Sequence, residues 1–221
     1  MSTTVRPAVL IFAVGALAFS LGYVAFPHSD DEHYRRRFQR EAKAIASLSH
    51  PCVVSIHSIQ EEITDSQHLT YIVMELVEGH SADARLHADG AIPLERAARW
   101  IRDAATGLRA AAAKDLIHRD VKPRNVFVTH AGEVKLLDFG LAHIAFSTLT
   151  EVGQIVGTPF YMSPEQVVGA KADPRSDIFS LGSLIYELMA DQKAFDGENV
   201  QVVFDEIVRC EPKPIRELFP A

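Results

Sequence analysis

The eight residues from His118 to Asn125, HRDVKPRN, gather a histidine, two arginines, an aspartate, a lysine and an asparagine directly ahead of apolar Val126, Phe127 and Val128. Bringing so many charged and polar groups together is unfavourable unless the fold holds them for a charged ligand. The segments that follow constrain how they are held: NVFV and VKLLDF flank the turn THAGE and predict a short hairpin. Asp120 then lies in a loop ahead of the hairpin, while Asn125 and Asp138 lie at its two ends, so the fold can bring all three to one side. Such a site offers two oxygen ligands for a hard cation beside a carboxylate free to accept a proton. Magnesium, typically held by one or two carboxylates together with phosphates, is the natural ion for it. Lys122 adds a movable point charge for a phosphate in transfer, and the site suits a nucleotide phosphate.

With 221 residues and 48% hydrophobic composition, the chain can bury one good core and a small second lobe. A net charge of −7 with acidic and basic residues intermixed argues against a nucleic-acid partner. Cys52 and Cys210 lie far apart without a CxxC or histidine-paired spacing, which fits a reducing compartment; both are expected to be buried apolar fillers. The remaining histidines have no HExxH or comparable ligand spacing.

From Ala8 to Phe26 the chain runs nineteen residues without a charge, close to the roughly 20 needed to cross a bilayer as a helix. Residues 1–30 are therefore an apolar leader or a single transmembrane segment. Arg35 to Arg37 beyond it favour the C-terminal side in the cytoplasm. Two other readings stand beside the span: a signal peptide cleaved after the ALA at 16–18, and a pair of buried strands interrupted by Gly15 and Gly22.

Beyond Pro27 the chain reads as an α+β domain. Tyr34, Phe38, Ile45 and Leu48 recur at helical spacing over 34–49, and Pro51 stops the run. CVVSIHSI and TYIVMELV predict two antiparallel strands separated by polar QEEITDSQH. From Pro93 a long helix places Leu94, Ala98, Ile101, Ala105, Leu108 and Ala112 on one stripe, and SDIFSLGSLIYELMA predicts a largely buried helix.

Taken in order, HRDVKPRN, the DFG at 138–140, GTPFYMSPEQ from Gly157 and SDIFSLG resemble the motifs of the eukaryotic-type Ser/Thr protein kinases, particularly the bacterial ones. Four ordered motifs at plausible spacing are far more specific than any one of them, and the resemblance covers roughly residues 34–215. It implies a two-lobed kinase-like fold, with a partial small lobe over 31–77 and a mainly helical large lobe over 78–221. It also implies ATP and Mg²⁺ as cofactors and Ser/Thr-containing proteins as substrates. Carried over, it makes Asp120 the catalytic base, puts Asn125 and Asp138 on the metal, and sets Lys122, with Thr158 near it, against the γ-phosphate. MELV resembles the hinge: the Glu75 carbonyl and Val77 amide would bond adenine, with Met74 as gatekeeper and Phe127 beneath the base. For the apolar residues among these, plain core packing is the competing explanation. Glu41 would be the cleft-facing carboxylate of the small-lobe helix, and Ile45, Ile56, His118 and Phe139 would stack as a spine. Asp177 would anchor the catalytic loop. Arg119 would pair with a phosphate on Ser147, Thr148 or Thr150.

The departures predict impaired transfer. There is no GxGxxG, the first lysine is Lys43, and in VAFP, which is only superficially like the family's Val-Ala-Ile-Lys strand, Pro27 stands where lysine is needed. Lys43, two residues past Glu41, is rotated nearly to the far side of the helix. At the other end, the family continues with further helices that supply an arginine for Glu165, and here Glu165 is expected to lack it. Three readings follow: a Ser/Thr kinase of reduced activity, a pseudokinase acting as a membrane-tethered regulatory binding module, or a fragment of a larger kinase gene.

Overall fold

The computed structural model describes residues 23–27, 40, 42–63, 68–139 and 159–218. Strand β1 (Tyr23–Pro27) is followed by helix α1, described over residues 42–46, then β2 (Ile56–Ile63) and β3 (His68–Met74). After them come β4 (Gly79–Ser81), α2 (Ala82–Asp89), α3 (Leu94–Ala112), β5 (Val126–Thr129) and β6 (Val134–Leu136). Four helices follow: α4 (Pro164–Val167), α5 (Pro174–Ala190), α6 (Val200–Arg209) and α7 (Ile215–Leu218). The α+β expectation holds.

Two antiparallel sheets organise these elements, one in the order β1-β3-β2 and one in the order β4-β5-β6. The segment just before β2 links it to β6 through an isolated parallel bridge, Val53↔Leu136: Val54 N–H donates to Leu136 O at 3.0 Å, and Leu136 N–H donates to Cys52 O at 2.8 Å. The β2–β3 hairpin extends through Glu61↔Thr70 and Ile63↔His68, into residues read from their polarity as a connector. Backbone pairing needs only N–H and C=O groups in register, so polar side chains did not end it. Cys52 to Ser55, conversely, are not part of β2.

Tyr23 to Phe26, the last four residues of the apolar run, pair with β3 as Tyr23↔Val73 through Phe26↔Thr70. These four are strand and not the end of a membrane helix, and residues 8–22 lie outside the described residues. No helix among the described residues is long and apolar enough to cross a membrane.

The main core packs α3 against α5 and against the β4-β5-β6 sheet. On α3 the buried residues are Ala97, Trp100, Ala104, Gly107, Leu108 and Ala111, one step round from the predicted stripe. Leu94, placed on that stripe, is 59% exposed. Small residues won this face because the neighbours come close. A Cβ built at Gly107 would meet Leu136 Cδ1 at 3.0 Å, Cys52 O at 3.1 Å and Val53 Cγ2 at 3.2 Å. Helix α5 is largely buried, as its composition predicts, with Leu181, Leu184 and Leu188 in the core. The cysteines differ from expectation. Cys52 is half-buried, its sulfur 3.5 Å from the Thr106 hydroxyl that donates to it, and Cys210 is exposed. Cys210 sits at the left-handed position that ends α6, with φ 58°, where the side chain turns outward.

Candidate functional site

The loop from His118 to Asn125 is irregular backbone, so its amides need partners from elsewhere in the fold. Asp177, in the first turn of α5 and 3% exposed, supplies them: Oδ2 accepts from His118 N–H and Oδ1 from Arg119 N–H, each at 2.8 Å. Pro174 at the start of that helix and the Asp173 cap fix where the helix begins, and so where Asp177 points. Between the two anchored amides and the next residue the chain takes a left-handed turn, with Arg119 at φ 65°. A non-glycine residue there costs of order 1 kcal/mol, which the paired amides offset.

Downstream of the turn, Asn125 Nδ2 donates to the Asp120 carbonyl at 2.8 Å and to Asp120 Oδ2 at 2.9 Å. Lys122 Nζ lies 2.7 Å from the same Oδ2. With its amide nitrogen engaged twice, buried Asn125 keeps its Oδ1 as an oxygen ligand. The 3₁₀ turn Pro123–Asn125 leads straight into β5, and Leu137 N–H donates to Asn125 O at 2.9 Å beyond the end of β6. That bond closes the hairpin and holds the segment carrying Asp138 beside Asn125, as the sequence spacing anticipates. Asp138 also adopts a left-handed backbone, φ 55°. Burial, and after it the Asp120 carboxylate, push the Asp138 carboxyl above the usual range, against the pull of His118 and Lys122. Such a carboxyl is short of positive charge, the condition a bound cation relieves.

His118 is fully buried and its ring lies 4.4 Å from that of Phe139. Ile45 and Phe139 belong to the main core and Ile56 packs against it, so of the four residues expected to stack, His118 and Phe139 are in direct ring contact. Phe127 packs with Val54, Leu137, Met74 and Val77 in a separate small cluster, apart from the main core. Glu75 is held on three sides. Its N–H donates to Ser55 O at 2.9 Å, its Oε2 accepts from Ser55 N–H at 3.2 Å, and its Oε1 lies 2.5 Å from Lys135 Nζ. Burial alone would raise the Glu75 carboxyl, but Lys135 and Ser55 outweigh it and hold it below the usual range. Among the described residues, no hydrogen bond engages the Glu75 carbonyl or the Val77 N–H.

Of the other residues singled out, Glu41, Ser147, Thr148, Thr150 and Thr158 lie outside the described residues. Lys43 is exposed, next to buried Ala42 and two residues from buried Ile45. Glu165, expected to want an arginine, accepts a hydrogen bond from Ser176 on α5, and its carboxyl lies below the usual range despite partial burial. Sequence reading missed Lys135, Gln166 and Ser176, which steady their surroundings through single side chains, and Ser55, which does so through its backbone N–H and carbonyl; none carries a periodic signal. It also missed α2, although Ser81, whose hydroxyl accepts from Ala84 N–H at 3.1 Å, and Gly90 after the last turn mark its ends.

Comparison with known proteins agrees with this geometry. The protein kinase domain profile matches residues 23–217, so the match takes in β1 and begins eleven residues before the resemblance read from the motifs. The serine/threonine-protein kinase PknB of Mycobacterium leprae is 39% identical over 186 residues, covering 83% of this chain and 30% of the relative. PknB of Mycolicibacterium smegmatis is 38% identical over 187 residues, with the same two shares. PknA of Mycobacterium tuberculosis is 35% identical over 189 residues, covering 85% of this chain and 44% of the relative. The chain thus spans less than half the length of these curated relatives. On the extent of the profile match and the motifs that occupy the site, the chain belongs to the protein kinase domain family.

Proposed function

We propose that the chain transfers the γ-phosphoryl group of ATP to serine and threonine hydroxyls of proteins. The observation that carries this reading is the joint hold on Asp120. Asn125 and Lys122 both engage one carboxylate oxygen, leaving the other to take the hydroxyl proton. The Ser/Thr preference is supported by Lys122 and by the names of the relatives. Mg²⁺, when bound, would neutralise charge on the transferring phosphate. Asn125 Oδ1 and Asp138 fit it as hard oxygen donors. The Glu75 carbonyl and Val77 N–H, unengaged among the described residues, would bond adenine, and Phe127 would pack beneath it with Val54 and Leu137. Met74, at the end of β3, would limit the depth of that pocket. Glu41 would face the cleft from the small-lobe helix. The small lobe is assigned up to Val77 and the large lobe from Glu78, with β1 part of the former.

Turnover should be slow. Strand β1 runs alongside β3 as the family's lysine strand would, and it ends with Pro27 opposite Leu69. Removing a comparable charge-assisted donor costs on the order of 3 kcal/mol, roughly a hundredfold in rate. A second reading, nucleotide binding without transfer, rests on that same proline. Steady-state phosphorylation of a generic basic protein with Mg²⁺-ATP separates them. The native chain should show slow, Mg²⁺-dependent transfer to serine or threonine, Asp120→Asn should abolish it, and Pro27→Lys should raise it at least about tenfold. Undiminished turnover in Asp120→Asn, or phosphotyrosine as the main product, would sink the assignment. For residues 8–22 we propose membrane association, tested by carbonate-resistant pelleting of the full chain. Recovery in the soluble fraction would reject it.

A further inference from the structure

Gln166 lies in α4, 47 residues from the catalytic loop in sequence, yet its Nε2 donates to the Arg119 carbonyl at 2.9 Å. Its Oε1 accepts from Ser163 N–H at 2.9 Å and from the Ser163 hydroxyl at 3.1 Å. Ser163 is fully buried. A backbone N–H can only donate and a carbonyl can only accept, so the amide has a single workable orientation across this gap. The Arg119–Asp120 peptide carries two polar groups. The Asp120 N–H reaches His118 Nδ1 at a long 3.4 Å, so the Gln166 bond is the firmer restraint on that peptide plane. Asp177 fixes the peptides before it and leaves this one to Gln166.

We propose that Gln166 is a positioning residue for Asp120: its amide sets the plane of the Arg119–Asp120 peptide and ties the catalytic loop to the start of α4. The inference rests on the assignment of Asp120 as the base. Since Asp120 follows a left-handed residue, rotation of this peptide swings the carboxylate, and displacements near 1 Å at a reacting group can cost two orders of magnitude in rate. The link also makes the loop sensitive to how the chain enters α4 at Ser163, directly after the segment that carries Tyr161.

Gln166→Glu in the full chain is the test, because the carboxylate keeps the acceptor for Ser163 and loses the donor for Arg119. By hydrogen-exchange mass spectrometry at neutral pH, amides of residues 118–125 should exchange roughly tenfold faster, with α5 unchanged, as expected for loss of one hydrogen bond of ordinary strength. In turnover, kcat should fall at least about tenfold with KM for ATP unchanged. The ratio of variant to native kcat should climb as pH falls, because the introduced carboxyl regains a donor once protonated, whereas Gln166→Ala should show a flat ratio. Unchanged exchange in residues 118–125, or a ratio for the Gln166→Glu variant that does not vary with pH, overturns the proposal. Absence of turnover in the native chain would defeat the functional assignment alone and leave the exchange result to decide the geometry. If Gln166→Glu does not fold, Ser163→Ala decides, with a smaller exchange increase confined to residues 118–125 expected and no increase overturning the idea.

Discussion

The proposed catalytic loop at 118–125 and the proposed hinge at 74–77 are both short stretches that the chain immobilises by different means. The loop is held by a buried carboxylate, Asp177, whose two oxygens each take a backbone amide. The hinge at Glu75 is held by the reverse arrangement: its own side chain reaches out to Ser55 and to Lys135, and the Glu75 and Lys135 side chains are 24% and 18% exposed. A carboxylate accepting two backbone amides in a dry site is insensitive to salt, whereas a partly exposed ion pair is screened by it. The loop is therefore the rigid side of the site and the hinge the adjustable side. Under the proposed function, that division suits a base that must keep its place beside a hinge that would admit and release a nucleotide.

Replacing Asp177 is the most severe way to test this contrast. Asp177→Ala leaves one buried and one part-buried amide without this acceptor, at about 1–3 kcal/mol each at most, so chemical denaturation should show a loss of roughly 2–6 kcal/mol. Asp177→Asn, retaining one acceptor, should lose about half as much. If Asp177→Ala costs no more than a hinge substitution, the loop is not the rigid element.

A smaller effect is expected at the hinge. Lys135→Met strips Glu75 of its cation, and the loss should be about 1–2 kcal/mol at neutral pH and low salt. Because the Glu75 carboxyl is held below its usual range in the fold, its stabilising contribution is present above the unfolded carboxylate pKa and is lost as pH falls through the lower folded value. The gap between native and variant should therefore close in acid, and it should shrink in high salt. A gap independent of both would mean that Lys135 acts through its apolar stem.

The smallest change has the opposite sign. The Asp138 carboxyl is raised in the fold, so its ionised form weakens the native state at neutral pH, a penalty relieved as pH falls through the raised value toward the ordinary aspartate range. Asp138→Asn should accordingly melt slightly higher than the native chain at neutral pH in the absence of Mg²⁺, while losing Mg²⁺-dependent transfer. A lower melting temperature would show that Asp138 is a structural carboxylate and would weaken its assignment to the metal.

Much of this site was legible from the chain. The loop, the hairpin after it and the helix carrying Asp177 are contiguous motifs, and residues crowded together in sequence cannot be far apart in space. Asn125 and Asp138 could be placed together for the same reason, since a short hairpin closes on its own ends. The α3 stripe was misplaced because Leu94 and Ile101 outweigh alanine and glycine on any hydrophobic reading, although Leu108 on the same stripe is buried. The structure rewarded close approach instead, with Gly107 against Leu136, Cys52 and Val53. Cys210 was misjudged because composition ranks cysteine as a buried residue while its helix-end position turned it outward.

What the sequence by itself determined is the set of chemical groups and their order: the aspartate proposed as base, the two residues proposed as oxygen ligands, a lysine, and an aspartate to anchor the loop, each carried by a short motif that can be read in place. Only the tertiary structure decided which distant groups hold that set in place. Gln166 on Arg119, Ser176 on Glu165 and Lys135 on Glu75 are single polar side chains meeting partners 11 to 60 residues away. Hydrogen bonds of that kind have no periodicity, and their partners are specified by the path of the backbone, so nothing local in the chain announces them. The same is true of β1. Its sequence, YVAFP, is compatible with a membrane helix or with a strand, and it became a strand because β3 offered an edge to pair with.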